Sequence, residues 1–328
     1  MSLTDLEAEA SVPPASEVPG GRKIEGRSPW QLAWARLRKD KAAMISLAVI
    51  ILFIVMALMA PLIAKWVGYE PEFGDRKLGQ TADGLPVGPN GHHVLGTDRF
   101  GRDILVRSVY GARVSLLVGL VSTALAVIIG LVVGVSAGFY GGAIDTVLAR
   151  FMDVTLSFPY LLFALALAAA FGASVPLTIF VITFFQFASI GRIVRGQVLQ
   201  IKEREFIEAA KSLGASRVRT MFVDIIPNLV APVTVLASMT IPTAIIFEST
   251  LSFLGAGTDP RTPTWGNMLS DATETYTVAW WTLFVPALFL LVTTLAFNIL
   301  GDAVRDALDP RAERLFAAQK ANRKKKRK

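Results

Sequence analysis

The chain of 328 residues has no cysteine, and its only two histidines are adjacent, at His92 and His93. Without cysteine there are no disulfides, thiolate metal sites or cysteine nucleophiles. Neighbouring histidines point in different directions on a helix or strand, and no HExxH is present, so no zinc centre is expected. Gly-x-Ser-x-Gly elbows and GxxxxGK[ST] phosphate loops are also absent, which leaves no recognisable means of acyl transfer or ATP hydrolysis. No catalytic residue, metal site or cofactor is therefore assigned to the chain itself. Charge is scarce as well. Charged residues make up 18% of the chain and hydrophobic residues 53%, with a mean hydropathy of +0.51. A soluble domain carries roughly 25% charged residues.

The apolar residues fall in long runs almost free of charge, at 42–64, 114–139, 152–171, 176–194, 229–254 and 279–300. Each is long enough to cross about 30 Å of hydrocarbon at about 1.5 Å per residue. The residues ahead of the first run are polar, and that run is too long for the core of a cleavable signal peptide, so it reads as an uncleaved anchor. If the N-terminus is cytoplasmic, 25 of the 33 lysines and arginines lie on the inner side and 8 on the outer. That asymmetry sets the orientation, with both ends inside. The expectation is an all-α membrane protein of six spans, with 65–113 as an extracytoplasmic loop and 114–301 as the core.

The flanks read differently. Residues 1–27 have the composition of a disordered segment. Residues 28–41 read as an amphipathic interfacial helix with Ser28 as N-cap and Pro29 in the first turn. One face carries Trp30, Ala33, Trp34 and Leu37, with Arg36, Lys39 and Lys41 around it. The segment 302–328 is a basic tail suited to anionic lipid. In the second span, Ser122, Ala126, Gly130, Gly134 and Gly138 form a small-residue stripe, which serves a contact either within the chain or with a second membrane subunit. Pro232 and Pro242 are expected to kink the fifth span. Asp153 and Glu248 are the ionisable residues near the spans, and both are candidates for the pathway wall or for structural pairing.

Between the fourth and fifth spans, the loop 195–228 holds two short helices. The first ends at Leu213, with Gly214 as its left-handed cap; Ser216 caps the second, and Pro227 is expected to stop it. Phe206, Ala209, Ala210 and Leu213 form a compact apolar face bordered by Glu208 and Lys211, with Ala215 and Arg217 in the following turn. Such a face suits docking into a groove on a cytoplasmic partner.

Glu208-Ala209-Ala210, Gly214 and Pro227 hold the spacing of, and resemble, the cytoplasmic signature of ABC importer permeases. Asp224 stands where the general pattern has Ile, and Ile226 where it has Leu. The run Gly96-Thr97-Asp98-Arg99-Phe100-Gly101-Arg102-Asp103, taken alone, is a turn with an Asp–Arg pair. Together with residues 251–269 and 298–311, it resembles the second (C-type) permease of the oligopeptide, dipeptide and nickel importers. The resemblance covers roughly residues 29–311.

It implies a type I ABC importer permease fold in the bacterial cytoplasmic (inner) membrane. It also implies a second homologous permease subunit, two ATP-binding subunits that hold ATP and Mg, and an extracytoplasmic substrate-binding protein; nucleic acid is not implied. Phe206, Glu208, Ala209, Ala210, Lys211, Leu213, Gly214, Ala215 and Arg217 would then contact the ATPase. The outer loops 65–112 and 255–278 would face the binding protein. Short peptides are the implied substrate, with nickel as the alternative. A stand-alone ion-driven carrier or channel is the reading from another class; it finds only Glu248 as a buried carboxylate and no internal repeat.

Overall fold

The computed structural model describes residues 29–75 and 78–309. The expected disordered segment 1–27, the Ser28 cap and the tail from 310 onwards lie outside the described residues. Helix α1 (Pro29–Leu37) is followed by a turn in which the Asp40 side chain accepts from the backbone of Ala42 and Ala43 and so starts α2 (Lys41–Leu58). The first span is not one rod. It breaks at Met59 and resumes as α3 (Ala60–Val67), with Pro61 in its first turn and left-handed Gly68 at its end.

Helix α4 (Ile104–Tyr140) begins at Ile104, well ahead of the apolar run at 114, so the outer loop is shorter than hydropathy suggests. Two features start it early. The Asp103 carboxylate accepts from the Val106 N–H at 2.9 Å, and Arg107, whose charge hides this turn from a hydropathy reading, is wholly buried against counter-charges. The third apolar run, read as a single span at 152–171, is instead a bent pair. Helices α5 (Gly142–Ser157) and α6 (Tyr160–Phe171) meet at 81°. Pro159 has no N–H to continue the ladder and holds Phe158 in extended backbone, which ends α5.

Helix α7 (Val175–Ile201) starts at Ser174, whose hydroxyl caps Leu177. Beyond it lie α8 (Glu205–Ser212), α9 (Arg217–Arg219), a π-helical turn (Thr220–Ile225), α10 (Ile226–Phe253), α11 (Trp265–Ala272) and α12 (Trp281–Leu308). Among the described residues, five helical stretches are long and apolar enough to cross a membrane, and the bent pair, taken as one span, makes a sixth. Residues 217–253 count as one such stretch, continuous through Pro232 and Pro242 rather than broken at either.

The small-residue stripe of α4 faces α7 inside this chain. A Cβ on Gly134 would stand 2.5 Å from the Gly191 carbonyl oxygen and 2.8 Å from the Val194 side chain; on Gly138 it would meet Val198 at 2.8 Å, and on Gly130, Ile190 at 2.9 Å. Lipid tails are as apolar as leucine, so helices in the bilayer associate through close packing rather than water exclusion, and small residues permit it. Around this seam lies a core of Phe187, Ile190, Val194, Val198, Ile207, Ile225 and Leu229. A second core joins α2, α4, α10 and α12 around Trp265, with Phe53 and Phe289 set edge-on to its ring.

Gly134→Ala is expected to destabilise the purified protein by about 1–3 kcal/mol through overpacking against fixed backbone. Gly196→Ala, where a Cβ meets nothing within 4 Å, should instead stabilise it by about 0.5–1 kcal/mol through helix propensity. Thermal unfolding in detergent, followed by tryptophan fluorescence, measures both.

Candidate coupling surface and its supports

Helix α8 is held from one side and, among the described residues, uncovered on the other. Ile207 is fully buried, packed in the core that includes Ile201 at the end of α7 and Ile225 and Leu229 at the base of the 217–253 stretch. Phe206, Glu208, Ala209, Lys211 and Leu213 are exposed, Leu213 at 89%, and Ala210 and Ala215 are half-buried. Gly214 ends the helix at φ +81°. Its N–H donates to the Lys211 carbonyl at 2.9 Å, and the Ala215 N–H donates to the Ala210 carbonyl at 3.0 Å. This pair of bonds is a Schellman motif, and its left-handed residue favours glycine.

The chain then turns into the next helix at once. The Ser216 hydroxyl accepts from the Arg219 N–H at 3.3 Å, and the helix runs from Arg217 to Phe253, about 55 Å at 1.5 Å per residue. Pro227 does not stop it. The π turn before the proline closes with the Ile226 N–H on the Met221 carbonyl, five residues back. That wider turn gives the ring room and leaves the missing N–H in a first turn, where it costs little.

Charge pairs fix the inner end of α7, next to α8. Arg195 is bidentate to Asp145 of α5, with Nη2–Oδ2 at 2.8 Å. Lys202 donates to the Gly138 carbonyl at 3.0 Å, placing a cation at the C-terminal end of α4, where the helix dipole favours it. Asp153 lies on an exposed face of α5, paired with Arg192 at 2.8 Å and more loosely with Arg150.

Glu248 is elsewhere, fully enclosed. Its carboxylate accepts from Ser115 of α4 at 2.6 Å, from Ser252 at 2.8 Å and from Ser249 at 3.3 Å. It therefore ties α4 to α10, and the structure does not bring it together with Asp153. Neither residue lines the open groove of about 600 Å³ at the cytoplasmic half. That groove lies between Ile193 and Gln197 of α7, Asn228, Pro232 and Met239 of α10, and Arg305 of α12.

The Gly96–Asp103 run forms a buried polar cap at the other end. Asp98 accepts from the Phe100 and Arg102 N–H groups and from Arg102 Nε at 2.6 Å. Arg102 also reaches Asp271 at 2.6 Å. Arg107 lies within 3.5 Å of Asp98 and donates to the Pro71 carbonyl. Asp103 uses one oxygen to cap α4 and the other to receive His93 Nδ1 at 2.9 Å, while Tyr69 stacks on the His93 ring. The Thr97 hydroxyl donates to Gly79 and accepts from Val87. Gly96 and Gly101 take positive φ, and a Cβ on Gly96 would lie 2.6 Å from the Trp281 indole nitrogen.

Ile207, Arg107 and Asp271 do not stand out in the sequence reading. An arginine in the first turns of an otherwise apolar helix is a signal in itself, but no spacing points from Arg102 to Asp271. Asp271→Ala leaves Arg102 and Arg107 with Asp98 as their shared counter-charge, and a loss of about 3 kcal/mol in unfolding free energy is expected. Glu274→Gln, at a side chain 66% exposed, should cost under about 1 kcal/mol. Thermal unfolding of the two variants side by side measures the contrast.

Residues 130–314 match the model of the binding-protein-dependent transport system inner membrane component, and residues 28–79 match the N-terminal TM domain of oligopeptide transport permease C. The oligopeptide transport system permease protein OppC of Haemophilus influenzae is 39% identical over 289 residues, covering 88% of this chain and 91% of that protein. The dipeptide transport system permease protein DppC of Alkalihalophilus pseudofirmus is 40% identical over 284 residues, covering 87% and 90%. Among solved structures, an inward-facing conformation of the MetNI methionine ABC transporter aligns with a TM-score of 0.53 at 18% identity, over 62% of this chain and 96% of that one, a likeness of fold. The chain belongs to the inner membrane components of binding-protein-dependent transport systems, as a multi-pass ABC importer permease of the oligopeptide permease C type.

Proposed function

We propose that this chain forms half of the translocation pathway of an importer for di- or oligopeptides, and that α8 is where ATPase subunits grip it. One observation carries the reading. Ile207 pins α8 to the bases of α7 and α10, while among the described residues Phe206 stays 42% exposed and Leu213 89%. A push on α8 is thereby delivered to two long helices at once. In the assembly proposed, a second homologous permease completes the pathway, two ATP-binding subunits hold ATP and Mg, and an extracytoplasmic binding protein delivers the substrate.

The residues of this chain then act mechanically. Phe206, Ala209 and Leu213 supply the apolar contact; Glu208, Lys211 and Arg217 border it with charge, and the Gly214–Ala215 turn sets the angle between α8 and α9. Closure of the ATPases draws the two coupling helices together and turns the pathway outward; hydrolysis resets it. The groove fits peptides through the apolar flanks of Ile193, Pro232 and flexible Met239, with the amides of Gln197 and Asn228 able to pair with peptide groups. The relatives reported above are named for oligopeptides and dipeptides, which supports peptides over nickel.

Leu213→Asp separates docking from folding. The side chain is 89% exposed in this chain, so stability should change by less than about 0.5 kcal/mol, while ATP-driven peptide uptake into proteoliposomes should fall at least tenfold. Gly214→Val strains a left-handed position by about 1–2 kcal/mol. It should leave the complex assembled and hydrolysing ATP with uptake lost. Normal substrate-stimulated uptake in both variants would refute the docking role, and uptake by the chain alone without ATP would establish a stand-alone carrier.

A further inference from the structure

We infer that the α1–α2 corner is a binding site for the headgroup of an anionic phospholipid of the inner leaflet, built from Trp34, Arg38, Lys39 and Lys41. The depth of this corner follows from two helices independently. Helix α2 carries no charge from Ala42 onwards, and α12 carries none until Asp302, so hydrocarbon ends near Lys41 on one helix and near Asp302 on the other. Helix α1 lies against that level. Its Ala33 and Leu37 are buried with Ala43 of α2 and Ala303 and Ala307 of α12, and Arg36 donates to the Ala307 carbonyl at 3.1 Å. The helix is thus clamped at headgroup depth by contacts within the chain.

Among the described residues, its other face is uncovered and its charge is of one sign. Gln31, Trp34 and Arg38 follow one another at helical spacing along a stripe, all exposed, with Trp34 at 45%. The Arg38 guanidinium stands 5.2 Å from the centre of the Trp34 ring, which holds the cation beside an indole suited to the interface. Lys39 and Lys41 follow, both exposed. Asp40, between the two lysines in sequence, is engaged by the first N–H groups of α2. Three exposed cations at one corner of the chain, one of them over Trp34, complement an anionic headgroup at the depth where lipid phosphates lie. A soluble partner would have to reach an indole placed at the edge of the hydrocarbon.

The test uses the full-length chain, purified with the subunits that accompany it and placed in phosphatidylcholine vesicles. These carry a fixed fraction of either brominated phosphatidylglycerol or brominated phosphatidylcholine. Bromine quenches nearby tryptophan, and subtracting the W34F protein isolates Trp34 from the other five of the chain's 6 tryptophans. The Trp34 signal is expected to be quenched several-fold more by the phosphatidylglycerol, and less selectively as salt rises. R38Q should lower that preference by up to about fivefold, the worth of one surface cation. R38Q/K39Q/K41Q should abolish it, with the unfolding temperature unchanged. Equal quenching by the two lipids overturns the proposal, as does a preference that survives in the triple variant. No quenching of Trp34 by either lipid overturns it too, since the indole would then be covered by protein.

Discussion

The close approach of α4 and α7 is the contact on which the remaining structure depends. In hydrocarbon, apolar side chains gain nothing by leaving lipid for one another, so a helix pair holds by packing at short range. Gly130, Gly134 and Gly138 put no side chain of α4 into the seam, and Ile190, Gly191, Val194 and Val198 of α7 occupy the space. The seam ends where Lys202 reaches the Gly138 carbonyl and Arg195 grips Asp145. Because α4 and α7 meet as one unit, the inner end of α7 is a fixed base, and α8 and the long 217–253 helix are positioned from it.

Two polar devices hold the unit from the other end. The cap around Asp98, Arg102, Arg107 and Asp271 ties the start of α4 to α11, and the Glu248 carboxylate, enclosed by serine hydroxyls, ties α4 to α10. Buried charges of this kind are costly unless every group has a partner. They therefore work as positional locks more than as net stabilisers. The proposed coupling contact lies elsewhere, on the exposed face of α8, and the open groove lies between α7, α10 and α12. In the proposed role, a push on α8 would reach the long 217–253 helix while the polar cap holds the outer end.

Helices, orientation and the two short helices of the loop 195–228 were legible from residue order because each rests on local chemistry. A charge-free run must span, most lysines and arginines stay inside, and Gly214, three residues beyond Lys211, ends a helix in a left-handed turn. Three readings needed more than local chemistry. The 81° bend at Phe158–Pro159 hides inside a run of uniform hydropathy. Pro227 looked like a stop, since a widened turn ahead of it cannot be seen in sequence. The stripe on α4 had two possible partners, and spacing alone does not choose between them.

The sequence by itself determined that this chain crosses a membrane repeatedly, which way round it sits and which loop meets the cytoplasm, because transfer of apolar runs and charges between water and lipid depends on residue identity alone. The tertiary structure decided what each special residue touches. It enclosed Glu248, a candidate for the pathway wall or for structural pairing, among serines of two helices, gave Arg102 a counter-charge in Asp271 far along the chain, and set Ile207 inward so that Phe206 and Leu213 face out. Those outcomes depend on which helices pack together and at what distance, and a one-dimensional pattern carries no record of that.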